Sequence, residues 1–306
     1  MFRLRRMRMC LAAILLFPQV AWAEKHLDKM EADATREISS RSVWLTDYQQ
    51  ARTKAIKSRK PLLIHFQGSS ESPRHIRFIN DTCVRQEICQ QLRKYVCLRA
   101  PSHDLSVHTD GKGDMLLRNP TFAAMQEIPG LAVVDFSDAN SDTFGELIGV
   151  LPFTKQMYYA PPYESPLSVA TFLRLPLGPL SERMMIYAIR VHPERPRSTA
   201  GTSSPILQKA AADHSQRQAS LGRQGHQQWE LRFHRIWDQI GGKPPIEVCA
   251  ESWPDESLIT ACLGCVHAWR QSAGHWHSVA GTHLLFGYSI HRGANRIWYA
   301  TGIFGG

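Results

Sequence analysis

The most reactive side chains of this 306-residue chain are its seven cysteines, and their spacing limits what they can do. Cys10 stands apart near the start. The other six fall as Cys83, Cys89 and Cys97 in one half and Cys249, Cys262 and Cys265 in the other. Cys262-Leu263-Gly264-Cys265 has the spacing of a thiol–disulfide catalyst or of half a metal site. Gly264, inside a helical pattern, weakens the helix that would activate a thiol, and Cys249 is a partner across the Pro254 loop. The expectation is a structural bridge from Cys249 to Cys262 or Cys265, with redox and metal roles as the alternatives. Cys83 and Cys89, six apart, do not share a helical face and read as core thiols or a structural bridge.

Other chemistry is sparser. Most of the 14 histidines are neutral at pH 7. No His-Glu-x-x-His stretch provides the helical ligand-plus-base arrangement of a metalloprotease. His214, beside Ala211 and Ala212 on a helical pattern, reads as structural. Trp229, Trp237, Trp269, Trp276 and Trp298 read as core, since large aromatics dominate core burial. Trp253 or Trp276 would suit an apolar ligand surface. The basic residues at 190–197 and 217–235 read as solvated helix faces.

Four arginines (Arg3, Arg5, Arg6 and Arg8) precede an apolar run from Met9 to Val20, and Ala21-Trp22-Ala23 follows as a small-x-small cleavage site. That pattern is expected to be a secretory signal peptide over 1–23, directing export to the periplasm or beyond. Removing it takes four arginines and no acid, so the net charge falls from +9 to +5. A charge of that size permits peripheral contact with an anionic envelope surface but does not argue for nucleic acid. With 43% hydrophobic and 21% charged residues, the composition excludes a disordered or coiled-coil chain. A mean hydropathy of −0.28 and a single long apolar run exclude a polytopic membrane protein.

The elements that must position these residues alternate between helix and strand. Residues 24–40 read as a tether. Trp44, Tyr48, Ala51 and Ala55 have helical spacing up to Lys60-Pro61, and Leu62–Phe66 reads as a buried strand. Helical spacing returns over 73–95, with further strands at 95–98 and 131–136. The proline-rich stretch 152–182 holds a closing helix near 166–174 and the boundary between two domains. Helices follow at 182–191, 206–221, 227–240 and 257–271, separated by a loop over 193–205. The last 25 residues read as two strands, 286–290 and 296–300, around a turn. Alternating helices and apolar strands make the expected class α/β.

The run from Trp44 through Lys60-Pro61-Leu62-Leu63-Ile64-His65-Phe66-Gln67-Gly68-Ser69 resembles the opening of secreted thioredoxin-like domains, and Pro129 matches that family's proline before the third strand, usually cis. The resemblance implies a thioredoxin-like domain over 41–176. The family's Cys-x-x-Cys loop is replaced here by Ser69-Ser70-Glu71-Ser72-Pro73-Arg74-His75, and serine cannot carry out thiol–disulfide exchange. This domain is therefore expected to be redox-inactive.

Further on, Ala212-Asp213-His214, Gly225-His226, Ala250-Glu251-Ser252, Trp269…Ser272-Ala273-Gly274-His275-Trp276 and Tyr299…Phe304-Gly305 occur in one order. That order resembles the CAP superfamily (cysteine-rich secretory, antigen 5 and pathogenesis-related-1 proteins) in its bacterial branch. It implies a three-layer α-β-α sandwich over 177–306, with a cleft lined by His226, Glu251 and His275. The family's second glutamate is missing, since Trp269-Arg270-Gln271-Ser272 replaces Trp-x-x-Glu. Two imidazoles and one carboxylate suit Zn²⁺. The resemblance implies a secreted, non-catalytic binding protein for a lipid, glycan, protein or metal ligand. The alternatives are a metal-assisted hydrolase using the same trio and an envelope disulfide oxidoreductase using Cys262 and Cys265.

Overall fold

The computed structural model describes residues 43–101 and 116–306. The expected signal peptide (1–23) and tether (24–40) lie outside the described residues. The described residues form one compact unit. It is mixed α/β, built on a five-stranded and a four-stranded sheet, both mixed.

The first sheet contains β1 (Trp44–Leu45), β2 (Leu62–Gln67), β3 (Val96–Pro101), β4 (Gly130–Val134) and β5 (Leu147–Pro152), in the order β1-β3-β2-β4-β5. β1 and β2 run parallel to β3, while β4 runs antiparallel to β2 and β5. Helix α1 (Tyr48–Ser58) joins β1 to β2. Helices α2 (Pro73–Arg77) and α3 (Gln86–Leu92) lie between β2 and β3, with a π-helical turn over Phe78–Thr82. β2 is buried on both faces, which is why it reads as a nearly unbroken apolar run.

Helices α4 (Pro166–Leu173) and α5 (Leu180–Val191) follow. The second sheet contains β6 (Thr202–Ser203), β7 (Ile246–Glu251), β8 (Leu285–Arg292) and β9 (Trp298–Gly305), ordered β6-β8-β9-β7. Between these strands lie α6 (Pro205–Leu221), α7 (Trp229–Ile240), α8 (Leu258–Gln271) and α9 (Ala273–Ala280). α6 packs on one face, against Ile303 and so close to β8 that a Cβ at Gly287 would stand 2.2 Å from the Leu207 carbonyl carbon. α8 packs on the other face, where Trp269 meets Tyr288 with ring centroids 6.0 Å apart.

α5 is buried on almost every side and packs against β5 of the first sheet as well as β8 and α8 of the second. A helix enclosed in this way belongs to an interior rather than to a surface. One hydrophobic core accordingly runs from Leu62 in the first sheet to Phe304 in the second.

Several expectations change. Trp44 and Leu45 pair with Cys97 and Leu98 instead of starting a helix, and α1 begins only after Asp47, whose Oδ1 accepts from the Gln50 N–H at 2.6 Å. The single helix expected over 73–95 is broken. No peptide bond among the described residues is cis, the one before Pro129 included. β5, β7 and α9 were not anticipated. Of the five tryptophans expected in the core, Trp269 is fully buried, while Trp237 lies on the surface.

All six described cysteines are free. The bridge expected from Cys249 to Cys262 or Cys265 does not form, because the sheet separates the partners. Cys249 projects from β7 toward His226 and Thr301, whereas Cys262 and Cys265 lie on α8 in the core against the opposite face.

Candidate functional site

α6 starts at a Ser204 N-cap with Pro205 in its first turn and ends at Gly222 in the left-handed region. Its inward stripe is Leu207, Ala211, His214, Ser215 and Gln218, spaced three or four apart. The polar members of that stripe hold the loop after the helix. His214 Nε2 donates to the Gly225 carbonyl at 2.9 Å, and Gln218 Oε1 accepts from the Gly225 N–H at 3.0 Å. Gln218 Nε2 in turn donates to Thr301 Oγ1 at 2.9 Å, and Gln224 Nε2 donates to the Cys249 carbonyl at 3.2 Å. His214 therefore has the structural role its helical setting suggests. Gly225, at φ +151°, allows the chain to turn so that His226 faces β7.

His226 Nδ1 donates to Glu247 Oε1 at 3.0 Å. Glu247, whose side chain is 1% exposed, also accepts from both terminal nitrogens of Arg232. Burial alone would raise its pKa, but the His226 and Arg232 hydrogen bonds and the nearby His214 and Arg232 charges outweigh that effect. The carboxyl is held below its usual range. With Nδ1 turned to Glu247, Nε2 is the His226 nitrogen left to face a ligand. A carboxylate behind an imidazole is how proteins orient histidines that bind metals.

His275, in the first turn of α9, lies beside His226 with ring centroids 5.9 Å apart. Burial, and then the proximity of His226, lower its pKa, which favours a neutral ring. The His226 side chain is 43% exposed, so the pair is open to solvent on one side. The structure thus brings together two of the three residues expected to line a cleft. The carboxylate hydrogen-bonded to His226 is Glu247 and not Glu251. Glu251 shares the face of β7 with Glu247 and Cys249, but stands exposed at the strand's end, roughly 13 Å farther along. Among the described residues its carboxylate makes no hydrogen bond or ion pair. Alternation along Glu247-Val248-Cys249-Ala250-Glu251 was the signal that could have drawn attention to Glu247.

The first sheet carries a second polar cluster. His65, wholly buried in β2, donates from Nε2 to His75 Nδ1 at 3.2 Å, and the Gly68 N–H also meets that Nδ1 at 3.3 Å. Burial lowers the His75 pKa to about 4 despite the nearby Glu164 charge. A cavity of about 340 Å³ opens beside His75, Ser69 and Ser70 in the loop without cysteine.

Cys262 and Cys265 are fully enclosed, and burial pushes both thiols above their ordinary range. Such thiols are poor nucleophiles. Among the described residues no helix is long and apolar enough to cross a membrane. Comparison with models of protein families, with curated proteins and with solved structures finds no match to this chain.

Proposed function

We propose that the protein is an exported binding protein whose ligand enters the cleft between His226 and His275. The observation that carries this reading is the pairing of the two rings at 5.9 Å, one braced by Glu247 and open to solvent. In this reading residues 177–306 are a CAP-like module. The placement of the β6–β9 sheet between α6 on one side and α8 on the other supports that layering. Residues 41–176 are a redox-inactive thioredoxin-like module. The loop from β2 into α2, which has serines where that family has cysteines, supports this assignment.

The ligand is a lipid, glycan, protein or metal ion from the envelope or beyond. Zinc suits the two imidazoles, because Glu247 fixes the His226 ring from behind and leaves Nε2 to face the ligand. Once held there, zinc would act as a Lewis acid toward a polar ligand group. A hydrolase has less support, since Glu247 is already engaged by His226 and Arg232 and is not free to act as a base. Burial of Cys262 and Cys265 likewise counts against an oxidoreductase.

Native mass spectrometry of the full chain purified from its own source tests the proposal. The wild type should carry an added mass that His226→Ala and His275→Ala both lose. Identical spectra from all three proteins would overturn it.

A further inference from the structure

We propose that His214, Glu247 and Cys249 form a second, buried zinc site behind the cleft, independent of whether the cleft binds a ligand. One donor atom from each of the three lies within 4.8 Å of the others. His214 Nε2 is 3.6 Å from Glu247 Oε1. His226 Nδ1, at 3.0 Å from Glu247 Oε1 and 3.7 Å from Cys249 Sγ, borders the set but stays hydrogen-bonded to Glu247, so the fourth position falls to a water. Bonds of about 2.0–2.1 Å to nitrogen or oxygen and about 2.3 Å to sulfur set neighbouring donors of tetrahedral zinc roughly 3.3–3.6 Å apart. The 3.6 Å between His214 Nε2 and Glu247 Oε1 fits that frame, and the Cys249 thiol lies within 4.8 Å of both.

The chemistry of the set selects the ion. A thiol, imidazoles and one carboxylate suit a borderline-soft divalent cation and not calcium or magnesium, which take oxygen donors. The three residues come from the inward face of α6 and from β7, and each is buried. His214 Nδ1 is buried without a hydrogen-bond partner, so the ring is oriented only by what Nε2 faces. That surrounding is the Gly225 carbonyl, Glu247 Oε1 and the Cys249 thiol, a set rich in lone pairs. Arg232 grips Glu247 Oε2 and also reaches Oε1, which keeps the carboxylate ionised and fixes its plane.

Coordination balances as follows. Cys249 releases its thiol proton to solvent. His214 moves its proton from Nε2 to Nδ1 and gives up its hydrogen bond to the Gly225 carbonyl. One proton therefore leaves for each zinc bound, and binding strengthens as pH rises. Occupancy would tie α6 to β7.

The test loads the full chain with zinc and examines the metal by X-ray absorption. The expected result is about one zinc per chain with one sulfur and a remainder of nitrogen and oxygen neighbours. His275→Ala should leave that signal intact, whereas Cys249→Ser should remove the sulfur and weaken binding by more than about tenfold. A wild-type spectrum without sulfur overturns the proposal and needs no variant to fold. So does zinc that is lost in His275→Ala, which would belong to the cleft. A sulfur signal that survives in Cys249→Ser would assign the metal to another cysteine and overturn it as well.

Discussion

His65 in β2 and His75 in α2 place two imidazoles against each other beneath the surface, and their protonation has a readable cost. His75 takes up its proton near pH 4 in the fold, against 6.5 in the unfolded chain, because burial disfavours the charged ring. Between those values the unfolded state binds more protons. The contribution to stability is complete above pH 6.5 and is lost as pH falls toward 4. Denaturant midpoints should therefore fall across that window, and fall less steeply in His75→Gln, which carries no titrating ring. Equal slopes for the two proteins would show that this residue does not set the dependence. The pair was not singled out in the sequence, because a histidine within an apolar strand gives no sign of what it will face. Glu247 escaped notice for the same reason. Its partners lie on α6, on the loop after it and on α7, and only the closed fold brings them together.

At the level of elements, legibility followed the origin of each signal. Helices α4, α6 and α8 were readable because a serine caps each start, followed by proline in α4 and α6, while α7 was readable from its apolar spacing alone. β7 was not, since it sends Val248 and Ala250 to one face and Glu247 and Cys249 to the other, with both sets buried. Its polar half is satisfied only by distant segments, and local alternation cannot reveal that. Trp44 misled because its spacing from Tyr48 is helical, while its pairing with β3 is a long-range event. The contact between α6 and β8 makes a demand that can be tested. Gly287→Ala forces a Cβ into the Leu207 backbone, so the helix must move off the sheet. The expected loss is about 1–3 kcal/mol in unfolding free energy. Because α6 holds the Gly225 loop, ligand retention in the cleft should weaken as well. Unchanged stability would mean that the strand accommodates a side chain there.

For the molecule as a whole, α5 is the element that matters most. It lies between β5 and β8 and shares its core with both sheets, so the part of the chain from Ser42 onward should unfold as a unit. A urea titration followed by far-UV and tryptophan signals is expected to give one coincident transition. Two resolved transitions would show that the two sheets are energetically separate. The expected boundary near residue 176 falls just before α5, so a fragment beginning there would leave the helix's β5-facing side bare.

The absence of cross-links among the six described cysteines has a last consequence if the chain is exported as proposed. Cys97, Cys249, Cys262 and Cys265 are shielded only by the surrounding fold. Any excursion that opens the interior exposes several thiols at once to oxidants and to one another. Under oxidising conditions, durability would then be governed by how rarely the molecule opens, because reclosure competes with scrambled pairing that traps the chain.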